Sequence, residues 1–280
     1  MKKNLLLFFS FLFLQGILQA QPVCEAFDVE KCEGLLQKAK KEQWHTLPDG
    51  ELVLKVGKVF LGTPYVAKTL EVVGDKENLV INLRGLDCTT YLENVLVFTR
   101  LIRQQKYSFE AFLKGLEQLR YREGDMREYP SRLHYFSEWL VDNEAEGIIQ
   151  NISKEIGGKP YQKTFSFMTA HRDKYEQLAN DAYFYELQKV EERLNQHDFY
   201  YLPKSEIASL EEKIQSGDLI AITTTIPNLD IVHVGFAYQK NGRLHFMHAS
   251  SRSKKVEITQ VPLAEYLGKI QSGIMVARLK

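Results

Sequence analysis

Residues 231–249 decide the fold class, and they read IVHVGFAYQKNGRLHFMHA. Two apolar runs, Ile231 to Tyr238 and Leu244 to Ala249, have the length and the β-branched or aromatic content of strands. Between them lies Asn241-Gly242, a dipeptide that readily adopts the positive φ angles of a two-residue hairpin turn. The stretch therefore predicts an antiparallel β-hairpin.

Two further strands are predicted around this hairpin, at Gly217 to Thr223 and at Ile274 to Leu279. The N-terminal part of the chain instead shows helical periodicity, in Phe27 to Gln43 and in Leu52 to Phe60. One apolar run of strand length, Leu79 to Leu83, follows these helices. Helices packed against an antiparallel sheet define an α+β domain.

The hairpin also places two histidines. With Asn241-Gly242 at its centre, His233 lies opposite Ser250 and His248 lies near Gly235. His233 and His248 are thus predicted to be diagonal neighbours on adjacent strands. A strand histidine commonly has a structural role, but two in contact can supply a general base and the group that orients it.

Cys88 lies in the segment Leu86-Asp87-Cys88-Thr89-Thr90. Asp87 is a favourable N-cap, and apolar residues continue at helical spacing beyond it, so Cys88 is predicted in the first turn of a helix. The partial positive charge of a helix N-terminus favours a thiolate, and we therefore expect a lowered pKa for Cys88. Together with the histidine pair, this predicts Cys88 as a catalytic nucleophile.

The first twenty residues predict export. Lys2 and Lys3 precede an apolar run from Leu5 to Leu14, and the small residue Ala20 marks a plausible cleavage site. This is the pattern of a secretory signal peptide at residues 1–20, and the run is too short and too interrupted for a stable membrane anchor. Residues 21–280 are then expected to form one domain in the periplasm or another exported location.

An oxidising compartment also bears on the cysteines. Cys24 and Cys32 lie close together near the mature N-terminus and are predicted to pair as a disulfide. That pairing leaves Cys88 alone, as either a buried residue or a reactive thiol.

Composition and charge exclude several classes. The chain has 36 basic and 36 acidic residues, so no basic field is available to hold nucleic acid. The histidines and cysteines lack the spacing of a zinc site, and the glycines lack the pattern of a phosphate-binding loop. Neither a metal nor a cofactor is predicted.

Several ordered segments resemble the NlpC-type papain-like cell-wall cysteine hydrolases. They are LGTPYV at residues 61–66, LDCTT at 86–90, RLHYFSEW at 132–139 and HVGF at 233–236. The second and third are most similar to the N-acetylmuramoyl-L-alanine amidase-like branch, first catalogued as a domain of unknown function. The resemblance spans most of residues 50–280 and implies a papain-like domain.

That resemblance also implies roles and a substrate. Cys88 would be the nucleophile, His233 the general base and His248 the group that orients it. Tyr65 would face the nucleophile and bind substrate or the developing oxyanion. Family members cut muropeptides, and this branch is implied to hydrolyse the bond between N-acetylmuramic acid and L-alanine in anhydro-sugar turnover fragments.

The chain departs from most members of that superfamily in two ways. They carry Asp-Cys-Ser-Gly where this sequence has Asp87-Cys88-Thr89-Thr90, and their cysteine and histidine are much closer in sequence. The intervening residues, about 108–210, are charged and periodic. They predict a large, mainly helical insertion that roofs the cleft and admits only small soluble muropeptides.

Six residues are predicted to bind substrate. They are Tyr65, Asp87 and Thr89 near the nucleophile, Arg132 and Tyr135 in a predicted helix, and Ser250 after His248. Arg132 could hold a substrate carboxylate through two parallel hydrogen bonds, although a solvated helix face explains it equally well.

Three other functions fit the same residues. An endopeptidase on this scaffold would cut within the stem peptide, for example after D-glutamate. A non-catalytic module would only bind the wall, and an acyltransferase would resolve the thioester with an amine instead of water.

Overall fold

The computed structural model describes residues 22–71 and 76–280. The predicted signal peptide at residues 1–20 lies outside these ranges. Among the helices that the structure describes, none has both the length and the apolar character needed to cross a membrane.

Helices and strands alternate irregularly along the described chain. The α-helices are α1 (Ala26–Lys41), α2 (Asp49–Val59), α3 (Cys88–Arg103), α4 (Phe109–Arg120), α5 (Phe136–Ala145), α6 (Phe167–Ala170), α7 (Asp181–Leu194), α8 (Ile207–Leu210) and α9 (Leu263–Tyr266). The strands are β1 (Ile149–Asn151), β2 (Lys159–Pro160), β3 (Tyr200–Pro203), β4 (Leu219–Thr224), β5 (Ile231–Lys240), β6 (Arg243–Ser250), β7 (Lys255–Ile258) and β8 (Gln271–Leu279).

The strands form one antiparallel sheet in the order β2-β3-β8-β4-β5-β6-β7, with β1 also paired to β8. The predicted hairpin is confirmed, because β5 and β6 pair Phe236 with Met247 and Lys240 with Arg243. Asn241 and Gly242 both have positive φ angles, 53° and 74°, as a type I′ turn requires. The mixed α+β class is confirmed.

Both faces of the central sheet are buried. Along β4, Leu219 and Ala221 face the core that contains α3, whereas Ile220 and Ile222 face a second apolar cluster. A strand buried on both faces has no polar side to alternate with, which explains its nearly continuous apolar sequence. The α3 helix packs against β5 and β6. The sheet thereby holds β5 rigidly against the start of α3.

Leu79 to Leu83 is not a strand of this sheet. The segment makes one isolated bridge, in which Val23 N–H donates to Leu79 O at 3.0 Å and Ile81 N–H donates to Val23 O at 2.9 Å. Leu79, Ile81 and Leu83 are buried. The run is apolar because this extended segment lies in the core.

The region predicted as a helical insertion contains strands as well as helices. It includes α4 to α8, and it also contributes β1 and β3, both of which pair with β8. The helix expected from Arg132 begins instead at Phe136. Its start is set by Asp230, whose carboxylate accepts a 2.7 Å hydrogen bond from the Ser137 N–H. That contact joins the region to the beginning of β5.

Candidate active site

Cys88 is the first residue of α3, and Asp87 caps the helix. The Thr90 N–H donates to Asp87 Oδ1 at 2.8 Å, and the Asp87 N–H donates to Thr90 Oγ1 at 3.0 Å. This reciprocal capping fixes the first turn and presents the Cys88 side chain beside it. The Asp87 carboxylate is committed to the cap, which argues against its predicted role in binding substrate.

The surroundings of the Cys88 sulfur act on its pKa in opposite directions. Burial, followed by the charge of Asp87, raises the pKa of Cys88 to about 12, although hydrogen bonds from the Val234 backbone and from Thr89 favour the thiolate. The expectation of a lowered pKa was therefore wrong. Cys88 does lie at a helix N-terminus, but desolvation of the thiolate raises the pKa by more than the helix N-terminus lowers it.

His233 and His248 are in direct contact. His233 Nε2 lies 2.6 Å from His248 Nδ1, and the two rings are perpendicular. Burial lowers the pKa of His233 to about 4. Burial, followed by the charge of His233, lowers the pKa of His248 to about 2. Both imidazoles are thus neutral at ordinary pH, and one must donate the proton that joins them.

Glu257 faces the far side of this pair. It is the cross-strand partner of His248 on β7, and its Oε1 lies 4.0 Å from His248 Nε2. His248 Nε2 is buried and has no hydrogen-bond partner among the described residues. Sequence reasoning missed Glu257, because its place depends on the pairing of β6 with β7, for which no turn signal was recognised.

A cavity of about 200 Å³ opens onto Cys88, Thr89 and His233. Much of its wall comes from the region predicted as an insertion. The residues from that region are Tyr129, His134, Tyr135, Phe136, Phe167, Met168 and Tyr175. Thr89 therefore lies where the sequence placed it, beside both the sulfur and the open space.

The predicted ligand Tyr135 contributes its ring to this wall, but its hydroxyl is already engaged. The Tyr135 O–H donates to Glu191 Oε1 at 2.6 Å and accepts from the Met168 N–H at 2.8 Å. The side chain therefore holds α6 and α7 in place.

Arg132 is buried and fully occupied, contrary to the prediction of a substrate-carboxylate ligand or a solvated helix face. Its guanidinium lies 2.7 Å from Glu71 and 3.5 Å from Glu77, and donates to the Leu70 carbonyl at 3.1 Å. It also stacks over the Tyr129 ring. The charge of this buried arginine is already compensated by acidic partners. A substrate carboxylate could bind the guanidinium only by displacing them.

Tyr65 and Ser250 lie on the β6–β7 side of the site. Burial, followed by the charges of Cys88 and Asp87, raises the pKa of Tyr65 to about 12, which places its hydroxyl near the nucleophile. Ser250 is buried, and its hydroxyl contacts Tyr266 and accepts from the Ser253 N–H. Ser250 therefore supports the turn after β6 and does not line the cavity.

The predicted disulfide is absent, since Cys24 and Cys32 are free thiols. Cys24 precedes α1 and Cys32 lies within it. A helical rise of about 1.5 Å per residue separates their Cα atoms by on the order of 10 Å. A disulfide needs less than about 7 Å, so the intervening helix prevents the pairing.

Within residues 22–71 and 76–280, no group of three or more His, Cys, Asp and Glu side chains is placed to hold a metal ion.

Comparison with known proteins places this chain in a family. The sequence pattern of the N-acetylmuramoyl-L-alanine amidase-like family matches residues 55–274. A solved N-acetylmuramoyl-L-alanine amidase from Bacteroides uniformis is 38% identical, with a TM-score of 0.79 over 83% of this chain and 99% of that one. A candidate xylanase from Bacteroides fragilis is 36% identical, with a TM-score of 0.76 over 81% and 100% of the two chains.

A protein of Legionella pneumophila shares the fold at 22% identity, with a TM-score of 0.66 over 90% of this chain and 94% of that one. Comparison with curated proteins gave no match. The fold and the site together define an amidase-like α+β domain. The chain belongs to the N-acetylmuramoyl-L-alanine amidase-like family.

Proposed function

We propose that this protein is a cysteine amidase that hydrolyses the N-acetylmuramoyl-L-alanine bond of muropeptides, including anhydro forms, during peptidoglycan turnover or recycling. One observation carries the proposal beyond family membership. Cys88 and His233 line the same cavity, and His233 is in direct contact with His248. A helix-borne cysteine next to a strand histidine is also the arrangement of the papain-like, NlpC-type enzymes, to which we assign the domain.

The resting site holds a neutral thiol and a neutral base, because the pKa of Cys88 is raised and that of His233 is lowered. Since His233 Nε2 is engaged by His248, its Nδ1 is the nitrogen left for the thiol. The thiol proton moves to this nitrogen as the sulfur attacks the amide carbonyl. The site therefore does not depend on a thiolate–imidazolium ion pair formed before the attack, because the proton moves while the sulfur attacks.

Collapse of the tetrahedral intermediate completes acylation. The carbon–nitrogen bond breaks, and His233 returns its proton to the departing L-alanine nitrogen. Water then attacks the thioester while His233 accepts a proton. The sulfur leaves with that proton, which regenerates the thiol and releases the muramoyl carboxylic acid.

The negative charge that develops on the carbonyl oxygen must be stabilised by hydrogen-bond donors. The backbone N–H of Cys88, at the N-terminus of α3, and the hydroxyl of Tyr65 are the groups that we assign to it. Loss of one such donor typically costs about 2.7 to 4 kcal/mol of transition-state stabilisation.

His248 and Glu257 keep the base in the productive tautomer. A neutral His248 with its proton on Nε2, facing Glu257, presents Nδ1 as an acceptor. His233 must then donate from Nε2, which leaves the lone pair on its Nδ1 for the thiol. The Glu257 carboxylate, acting through His248, stabilises the positive charge that forms on His233.

Residues of the predicted insertion supply much of the cavity wall, and we propose that they restrict the substrate to soluble fragments. Turnover on intact sacculi should be at least tenfold slower than on soluble muropeptides. Equal rates would contradict this restriction.

Mass spectrometry of digested anhydromuropeptides tests the proposed reaction. Free sugar together with intact peptide supports the amidase. A sugar that retains L-alanine and glutamate would instead establish the endopeptidase.

We further propose that the protein is exported after removal of residues 1–20 and acts as one domain spanning residues 21–280. N-terminal sequencing of the protein from the secreting host tests this. A mature chain that still begins at Met1 would overturn it.

A further inference from the structure

In the segment Arg132 to Tyr135, one side chain that lines the cavity has a polar atom without a hydrogen-bond partner among the described residues. Arg132 is held by acidic partners, and the Tyr135 hydroxyl is held by Glu191 and Met168. His134 lies between them in sequence and lines the cavity. No role for it follows from the reaction described above.

The hydrogen bonding of His134 fixes its tautomer. His134 Nε2 lies 2.9 Å from the Tyr129 carbonyl oxygen, so Nε2 carries the proton and donates it. Burial, followed by the positive charge of Arg132, holds the pKa of His134 well below its usual value. The ring is therefore neutral, and its Nδ1 carries a lone pair.

That Nδ1 is an available acceptor. It makes no hydrogen bond to any residue in the described ranges, and it is not among their buried, unsatisfied atoms. The ring itself is held in place, because it packs against the Tyr129 ring at a centroid distance of 4.3 Å and an interplanar angle of 43°. A rigid acceptor on the wall of a substrate cavity selects for an N–H or O–H group.

The rest of the lining indicates which part of the substrate enters. Aromatic side chains form much of the wall, and the acidic residues Glu71 and Asp230 also line it. No described lysine or arginine lines this cavity. Such a surface disfavours an anionic stem peptide, whereas a neutral sugar ring offers apolar faces together with hydroxyl and acetamido N–H donors.

We propose that His134 Nδ1 accepts a hydrogen bond from an N–H or O–H group of the substrate's saccharide, which the cavity holds beside Cys88. This assignment rests on the proposed function, since it takes the scissile bond to join a sugar acid to a peptide. It makes His134 a determinant of saccharide specificity.

Two substrates with the same scissile amide test the proposal. One is anhydromuramoyl-L-alanyl-D-glutamate, and the other is D-lactoyl-L-alanyl-D-glutamate, which lacks the sugar ring. For His134→Phe we expect kcat/KM on the saccharide substrate to fall about tenfold, as for one lost hydrogen bond, with little change on the lactoyl substrate. His134→Asn, which restores an acceptor near Nδ1, should recover part of the loss.

His171→Phe is the matched control, because His171 also packs against an aromatic ring and hydrogen-bonds a backbone carbonyl, but it does not line the cavity. It should leave both rates unchanged. Equal losses on both substrates in His134→Phe and His134→Asn would overturn the saccharide assignment.

Binding of the sugar product to the Cys88→Ala protein separates the two proposals. Weaker binding when His134→Phe is added supports the subsite even if the cleaved bond is another one. Unchanged binding would overturn the subsite while leaving the amidase reaction intact. A wild-type enzyme that cleaves neither substrate would overturn the amidase.

Discussion

His233 Nε2 lies 2.6 Å from His248 Nδ1, across the neighbouring strands β5 and β6. In the proposed mechanism, the Glu257 carboxylate, 4.0 Å from His248 Nε2, favours a proton on that nitrogen and so sets the direction of the shared proton. The contact engages His233 Nε2, and in the proposed mechanism Nδ1 is then the nitrogen that serves Cys88.

Cys88→Ala should abolish hydrolysis of anhydromuropeptides while the protein stays folded. Removal of a nucleophile lowers kcat by on the order of 10³-fold or more, because no other group can form the thioester. Steady-state kinetics and circular dichroism measure the two effects. Cys24→Ala is the control, since this thiol lies outside the cavity, and retained turnover in Cys88→Ala would end the nucleophile assignment.

Glu257→Ala should lower kcat about tenfold with little change in KM, because the carboxylate acts on the tautomer of His248 and not on substrate. Glu257→Gln keeps an oxygen that can accept from His248 Nε2, so it should recover most of the rate. Glu265→Gln, on exposed α9 surface, is the control. A change in KM alone would show that Glu257 binds substrate instead.

Gly235→Ala should disturb the histidine pair. A Cβ at this position would lie 2.6 Å from the Met247 carbonyl oxygen and 2.8 Å from His248 Cβ, so β6 would have to move. We expect a loss of about 1 to 3 kcal/mol in the free energy of unfolding, together with reduced kcat. Gly34→Ala in α1 meets no atom within 4 Å and should be neutral or stabilising in the same urea titration.

Arg132→Met should act on stability and not on substrate affinity. It would leave the Glu77 carboxylate, whose side chain is only 7% exposed, without the Arg132 guanidinium, and breaking a buried pair typically costs about 3 to 5 kcal/mol. Thermal unfolding and KM separate the two outcomes. Arg127→Met, which breaks only exposed ion pairs, should cost less than about 1 kcal/mol. A raised KM with unchanged stability would restore Arg132 as a ligand.

The free energy of unfolding should fall as pH is lowered below about 6.5. His233 and His248 titrate near 4 and 2 in the folded protein, so between those values and 6.5 the unfolded chain binds more protons. Each histidine then destabilises the fold by up to about 1.4 kcal/mol per pH unit. Denaturant titrations of wild type and His248→Gln should converge in this window, and parallel curves would contradict the buried neutral histidine.

Local signals predicted much of the fold. Asn241-Gly242 gave the register of β5 and β6, and the Asp87 cap gave the start of α3. The apolar run Leu79 to Leu83 is extended as expected, but it pairs only with Val23, because an apolar run records burial and not the partner of its backbone. Local reasoning failed for Cys24 and Cys32, which a helix holds apart.

The sequence alone determined the elements that carry Cys88, His233 and His248, since capping and turn preferences act over a few residues. Only the tertiary structure decided which polar groups remain available. Burial set the pKa values of the thiol and both imidazoles, long-range partners occupied Arg132 and Tyr135, and strand pairing brought Glu257 to His248. Desolvation and side-chain pairing depend on atoms distant in sequence, so no local pattern reports them.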